Sequence, residues 1–381
     1  MDFSLTDEQR KLRDEIIEFA RRELGGDVIA RDKQGIFPRE QWLKCGEFGL
    51  LGLNAPCEYG GQGKDALTTT IALEALGFAC RDNGLTFAIS AQTTSILATI
   101  ICFASAAQKE RYLPGLCKGD LIGCYGMTEP GTGSDAFALT TTATKCDGGY
   151  VLNGEKTFIT FAPIADLAVI FATTNRQLGR WGISIFFVER GATGFETSAV
   201  MDKMGLRTVP MGSVTLKECF VPTENRLGPE GAGVQIFNAS QEWERACILA
   251  NAIGAMERQL DECIRFARER QAFGKAIGKF QAISHRIAEM KLRLETARLI
   301  TYKAAWLKQT NQPAMLNAAL ANLYVGESFL QSSIDALRIH GARGYVTEFE
   351  IEREVRDALG GPIYGGTSDI QRNIIAHALG L

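Results

Sequence analysis

The chain has 381 residues, 46% of them hydrophobic and 22% charged, with 41 basic and 44 acidic side chains for a net charge of −3. That length is ample for a large core built from two or three packed subdomains, and the balanced charge carries no nucleic-acid footprint. The three histidines, His285, His340 and His377, stand far apart without metal-type spacing, so no metal site is expected. The ten cysteines form no CxxC pair, and those spread along the first third, Cys45, Cys57, Cys80, Cys102 and Cys117, read as buried, reduced thiols.

The chain opens on an acidic, helical segment. Thr6 and Gln9 have the spacing of a capping box, and Leu12, Ile16, Phe19 and Ala20 then recur at helical intervals. This start has neither an apolar core of a signal peptide nor an Arg/Ser-rich transit pattern, which leads to a cytoplasmic expectation. The apolar stretch around TSILATIICFASAA reads as a short buried helix, not a membrane span. Gly46, Gly49, Gly52 and the run EYGGQG break the helices into short pieces, and residues 1–120 read as a helical domain.

Residues 121–226 change character. LIGCYGM, ALTTTATKC, GGYVLNGEKTFIT, LAVIFATT and GISIFFVER are short and β-branched or aromatic, as in an antiparallel β-domain. Asp147-Gly148 and Asn153-Gly154 read as its tight turns. From residue 227 to 381 long helical patterns return. Gln235–Arg270 has one glycine and no proline, and Gln281–Gln309 has neither. In the latter, Ile283, Ile287, Met290, Leu294, Ala297, Ile300 and Ala304 form one stripe, and Pro313 starts a further segment. The class is α+β, in the order helical, β, helical.

Four motifs are more specific than this order. They are Tyr125-Gly126-Met127-Thr128-Glu129-Pro130-Gly131-Thr132-Gly133-Ser134-Asp135, Leu152-Asn153-Gly154-Glu155-Lys156-Thr157-Phe158-Ile159-Thr160, Arg268-Glu269-Arg270-Gln271-Ala272-Phe273-Gly274-Lys275, and Tyr364-Gly365-Gly366-Thr367-Ser368-Asp369-Ile370-Gln371-Arg372. In sequence, order and spacing they resemble the acyl-CoA dehydrogenase family, along the whole chain. The resemblance implies an N-terminal helical domain, a middle antiparallel β-barrel-like domain and a C-terminal four-helix bundle. It also implies non-covalent FAD and a homotetramer.

By the same resemblance Tyr125, Met127, Thr128, Phe158 and Thr160 line the flavin ring, and Ser134 borders the FAD pyrophosphate or the acyl chain. Arg270 and Phe273 are offered by a neighbouring subunit, with Gln281, Arg338, Gly341, Thr367 and Asp369 completing the cofactor set. Arg338 stands where the family usually has Gln, and Ala342 where it usually has Gly. Gly131-Thr-Gly133-Ser-Asp-Ala136 also fits a dinucleotide fingerprint, but that fingerprint opens a helix after a strand, whereas β-like sequence follows here, so NAD is not expected.

The family's best-known members place their catalytic Glu immediately before Gly-Thr-Ser, and here that position is Gly365. Other branches, the isovaleryl and long-chain acyl-CoA dehydrogenases among them, carry it on a bundle helix before an Arg. Glu244-Arg245 matches that position, whereas Glu242 reads as a solvated surface residue. The resemblance makes Glu244 the base that removes the α-proton of a thioester while a hydride passes to flavin N5, with Arg245, Tyr364 and Gly365 beside the substrate and the Gly365 N–H on the enolate oxygen.

Across the whole chain the likeness is to the branch that oxidises prolyl thioesters on an acyl carrier protein in secondary metabolism. The alternatives are a short- or branched-chain acyl-CoA dehydrogenase and a non-catalytic DNA-binding flavoprotein. Product (pyrroline or pyrrole) and electron acceptor (electron-transfer flavoprotein or oxygen) stay open. Neither nucleic acid nor membrane is expected as a partner.

Overall fold

The computed structural model describes residues 4–381. The N-terminal helices are α1 (Asp7–Glu23), α2 (Val28–Gln34), α3 (Arg39–Phe48), α4 (Ala66–Ala79), α5 (Asn83–Phe103) and α6 (Ala106–Lys118). At the start of α1 the Thr6 hydroxyl accepts from Gln9 N–H at 3.2 Å, and the Gln9 side chain accepts from Thr6 N–H at 3.1 Å.

Helix α5 is longer than the apolar stretch suggests. A π-helical segment, Gln92–Leu97, joins its two halves into 21 residues, whose most apolar 18 have a mean hydropathy of 1.6. Its most apolar 18 residues are 83% buried inside the fold, so a helix with the dimensions of a membrane span serves as a core helix. The cysteines divide: Cys45, Cys80 and Cys117 are buried as expected, but Cys57 and Cys102 are exposed, on a surface turn and on the last turn of α5. All ten are unpaired.

The middle segment holds β1 (Gly123–Gly126), β2 (Thr142–Cys146), β3 (Gly149–Thr160), β4 (Leu167–Thr173), β5 (Ile183–Glu189), β6 (Phe195–Thr197), β7 (Met211–Pro222) and β8 (Arg226–Leu227). They form one sheet in the order β6-β7-β3-β2-β4-β5-β8, with β1 beside β4. Most neighbours are antiparallel, as expected, but β1 runs parallel to β4, and β2 meets β4 in parallel at Thr142 and Thr173. The β2–β3 hairpin lies between β1 and β4 in the chain and reverses direction twice, so β4 enters along β1.

Asp147-Gly148 is the two-residue turn of that hairpin. Asn153-Gly154 is not a turn. It lies inside β3 at a register shift against β7, where a Cβ on Gly154 would come within 2.4 Å of Thr141 Oγ1. The glycine serves close approach, not chain reversal.

The C-terminal segment holds α7 (Gly233–Cys247), α8 (Ala250–Glu269), the hairpin β9 (Gln271–Ala272) and β10 (Lys275–Ala276), then α9 (Gln281–Gln309), α10 (Met315–His340), α11 (Ile351–Ala358) and α12 (Ser368–Ala378). The expected continuous helix from Gln235 to Arg270 is two helices. They break at Ile248 and Leu249, both 2% exposed, so tertiary burial sets this break without Gly or Pro. Helix α9 spans Gln281–Gln309 and buries Met290, Leu294, Ala297 and Ala304 of the expected stripe.

One apolar cluster runs through all three segments, from Ile16 and Trp42 through Tyr150 and Phe161 to Met290 and Leu294. The helical layers touch closely where α4 crosses α8. A Cβ on Gly77 would lie 1.9 Å from Asn251 O, and one on Gly254 would lie 2.0 Å from Glu74 O. Both obstacles are backbone, so a methyl there must push the helices apart. Gly254→Ala is expected to cost about 1–3 kcal/mol by overpacking, read as a lower urea midpoint at unchanged slope.

Candidate active site

A cavity of about 440 Å3 lies where the three segments meet. Its walls come from α5 (Phe87, Ser95), from β1 and the loop after it (Tyr125, Met127, Thr128, Ser134, Phe137), from the end of β3 (Phe158, Thr160), from α7 (Phe237, Gln241, Glu244, Arg245), and from the loop before α12 (Tyr364, Gly365, Gly366).

The loop after β1 is held by an ion pair whose importance its motif did not announce. Glu129 and Thr132 exchange backbone hydrogen bonds of 3.1 Å around Pro130-Gly131. The Glu129 carboxylate accepts from the N–H and hydroxyl groups of Thr140 and Thr141 at 2.6 to 2.9 Å. It also accepts from Lys156 Nζ at 2.8 Å, and Lys156 donates to Met127 O at 3.2 Å. Burial pushes the Glu129 carboxyl up, but Lys156 and the threonine donors hold it well below the usual carboxylate range. Burial lowers Lys156 against the pull of Glu129.

The end of β3 is bent by a second register shift, between Lys156 and Ile159. Thr157 N–H leaves the ladder and donates to Thr128 O at 2.9 Å, joining the two motifs. Phe158 takes φ +57° and stands 63% exposed on the cavity. A bulky residue held in the left-handed region, its ring uncovered, is strain of the kind that gathers at ligand sites. The Thr128 and Thr160 hydroxyls bond no described residue. An aromatic face beside two free hydroxyls suits a planar heteroaromatic group with polar edges, so this wall fits a flavin ring.

Glu244, 9% exposed, lines the same cavity. Its Oε2 accepts from Ser95 Oγ at 2.9 Å and from Gln241 Nε2 at 2.8 Å. Ser95 lies in the π-helical segment of α5, where the helix is widened by a residue. Burial raises the Glu244 carboxyl above its ordinary value, while Ser95, the Arg245 charge and Gln241 pull it back in that order. The result is a carboxylate of raised basicity, fixed in direction. Removing one donor destabilises the ionised form, so Ser95→Ala is expected to move the acid limb of the kcat profile to higher pH. A limb that stays in place would separate Ser95 from this role.

Gly365 faces Glu244 at φ +70°, and a Cβ on it would lie 3.5 Å from Glu244 Oε1 and 3.3 Å from Asn322 Nδ2. Its carbonyl accepts from Arg245 Nε and Gln371 Nε2, both at 2.9 Å, and its N–H donates to no described residue. Tyr125 Oη lies 2.8 Å from Ser240 Oγ, and the Tyr364 ring packs at 4.6 Å on Phe87. Burial holds both phenols far above their usual range, so they stay neutral.

The sequence candidates therefore fall into groups. Glu244, Arg245, Tyr364, Gly365, Tyr125, Met127, Thr128, Ser134, Phe158 and Thr160 share the cavity. Arg270, Phe273 and Gly341 line a separate hollow of about 380 Å3 with Phe266 and His340. Arg338 and Gln281 are exposed and line neither. Thr367 caps α12 through Ile370 N–H, and exposed Asp369 pairs with Arg372 at 3.0 Å. Glu242 corrects its sequence reading. It is half-buried, pairs with Lys308 at 2.6 Å and accepts from Ala314 N–H at 3.0 Å, because Lys308 and the start of α10 fold over it. Ser95, Gln241 and the Glu129–Lys156 pair were missed. Only the buried Lys inside a strand pattern could have signalled the last.

Three family descriptions match the chain: acyl-CoA dehydrogenase N-terminal domain over residues 6–120, middle domain over 124–219 and C-terminal domain over 231–380. The chain is 46% identical to an L-prolyl-peptidyl-carrier-protein dehydrogenase of Pseudomonas fluorescens over 382 residues, covering 100% of both. It superposes on the prolyl acyl carrier protein oxidase AnaB with TM-score 0.98 at 47% identity, over 99% of this chain and 100% of that one. It also superposes on PigA with FAD and proline with TM-score 0.98 at 38% identity, over 100% of each.

Proposed function

The chain belongs to the acyl-CoA dehydrogenase family, and from that premise we propose that it oxidises a prolyl thioester tethered to an acyl carrier protein, giving a pyrroline-carboxyl thioester in secondary metabolism. It is an FAD-dependent oxidoreductase. FAD, when bound, takes up the two electrons and the hydrogen released from the carbon β to the thioester.

The residues of the cavity divide the remaining work. Glu244 takes the α-proton, and its burial makes it a stronger base than a solvated carboxylate. The Gly365 N–H, which donates to no described residue, would meet the thioester oxygen as it gains charge. Tyr125, Met127, Thr128, Phe158 and Thr160 would hold the flavin ring, and Ser134 the pyrophosphate or the acyl arm. The observation that carries the reading is the pairing of Glu244 with Gly365. A side chain at 365 would start 3.5 Å from Glu244 Oε1, so a base carried on α7 reaches the same part of the cavity as one carried at 365, which supports Glu244 in that role.

Arg270, Phe273 and Gly341 share no lining residue with the catalytic cavity, and Phe273 is 95% exposed at φ +48° on the β9–β10 hairpin. This supports a homotetramer in which a neighbouring copy presents these residues, with Arg338 and Gln281, to the far end of the cofactor. Ten unpaired cysteines suit a reducing, cytoplasmic location.

The test is anaerobic bleaching of the bound flavin by prolyl carrier protein beside a panel of acyl-CoAs. Rapid bleaching by the prolyl carrier protein alone is the expected result. Bleaching by a short or branched acyl-CoA instead would return the protein to ordinary acyl-CoA oxidation.

A further inference from the structure

The segment joining β4 to β5 differs from the rest of the surface. Residues 174–182, Thr-Asn-Arg-Gln-Leu-Gly-Arg-Trp-Gly, hold two arginines and no carboxylate. The Arg180 guanidinium makes no ion pair and no hydrogen bond with described residues; it lies 5.0 Å over the Trp181 ring. Arg176 donates to Thr140 O at 3.0 Å and meets no acid among the described residues. Beside them Leu178 and Trp181 stand 56% and 52% exposed. Glu230 adjoins Gly231, where a Cβ would lie 2.9 Å from Trp181 O, and it is already taken up by Tyr150 at 2.7 Å and Arg226 at 3.4 Å.

This segment also borders the reaction site. It packs against the single turn Ala136–Ala138 and against α7, the elements whose Phe137, Phe237 and Glu244 wall the catalytic cavity. A surface depression of about 250 Å3 is lined by Phe137, Arg176 and Gly179, so Phe137 is common to this depression and the cavity.

We propose that Arg176, Leu178, Arg180 and Trp181 form the docking surface for the carrier protein, an acidic protein domain that delivers its thioester arm past Phe137. The inference rests on the carrier-thioester reading above. Uncovered Trp and Leu beside unpaired arginines have the composition of an interface centre, and the missing carboxylates make the patch complementary to an acidic partner. A CoA thioester would offer phosphates to the arginines but leave both apolar side chains in water, so a protein surface is the better match.

The holoenzyme and two variants, Arg180→Glu and the double change Leu178→Ala with Trp181→Ala, decide it. Each is reduced anaerobically with prolyl carrier protein, prolyl-CoA and prolyl-pantetheine, after the flavin spectrum has shown that the site is intact. The half-saturating concentration of prolyl carrier protein is expected to rise about tenfold or more, with the rate at saturation within about twofold. Prolyl-pantetheine should be used as by the unaltered enzyme. An unchanged response to the carrier protein, or equal losses with all three thioesters, would overturn the proposal. If the unaltered enzyme is reduced by no prolyl thioester, the substrate reading itself fails and the docking surface falls with it.

Discussion

Glu244→Gln is expected to keep the fold and the flavin spectrum while losing turnover by on the order of 100- to 10,000-fold, the usual contribution of a positioned general base. The amide has nearly the shape of the carboxyl and can still bond Ser95 and Gln241, whose contacts to Oε2 are 2.9 and 2.8 Å. What it cannot do is accept a proton from carbon. The same substitution makes a second, independent prediction. Burial raises the folded-state pKa of Glu244 above its unfolded value, so its stabilising contribution is present at acid pH and is lost as pH rises through the folded value. Above the folded value the buried carboxylate is ionised at a cost, and there the glutamine variant should melt higher than the parent. That gap should close as pH falls below the ordinary carboxylate range. Melting curves at pH 4 to 8 check the sign. Full turnover in the variant would remove Glu244 from the chemistry whatever the melting curves show.

The second large effect is expected away from the base, at Lys156. Its side chain is 0% exposed and pairs with Glu129, 2% exposed, at 2.8 Å. Lys156→Met leaves a buried carboxylate without its cation and the Met127 carbonyl without its donor. Breaking a buried pair from one side typically costs about 3–5 kcal/mol. Part of the loss should appear as cofactor release, because the pair holds the loop that presents Met127 and Thr128 to the cavity. The measurement is the ratio of flavin to protein absorbance after gel filtration, together with the urea midpoint. A variant that keeps both would show that the four threonine donors alone suffice to fix Glu129. Acid should act on the same loop. Glu129 is held below the usual carboxylate range, so its stabilisation is complete above the unfolded value and drains away as pH falls toward the folded one.

Much of this protein is legible in its sequence, for identifiable reasons. The helical, β, helical order follows from periodicity, which is local. The Thr6–Gln9 capping box and the Asp147-Gly148 turn are settled by residues within four positions of one another, and both form. The family motifs are contiguous and read directly, and the vacancy at Gly365 with Glu244-Arg245 elsewhere is the ground in the sequence for proposing a displaced base.

Local sequence could not decide what depends on partners far along the chain. Asn153-Gly154 has turn chemistry, but the demand on Gly154 comes from Thr141 across the sheet. The α7–α8 break at Ile248 and Leu249 has no local breaker and is set by burial. Glu242 and Glu244 lie two positions apart on one helix, and nothing local distinguishes an acid that meets Lys308 from one that meets Ser95. Ser95 itself, 149 residues from Glu244, meets it from within the π-helical segment. Element type and the chemical inventory are thus readable locally, since both rest on short-range steric and hydrogen-bonding preferences, whereas an element end such as the break at Ile248 and Leu249 is not. Only the tertiary structure decided which carboxylate is desolvated, which lysine is paired and which hydroxyls are left free, because these depend on what surrounds each group in space.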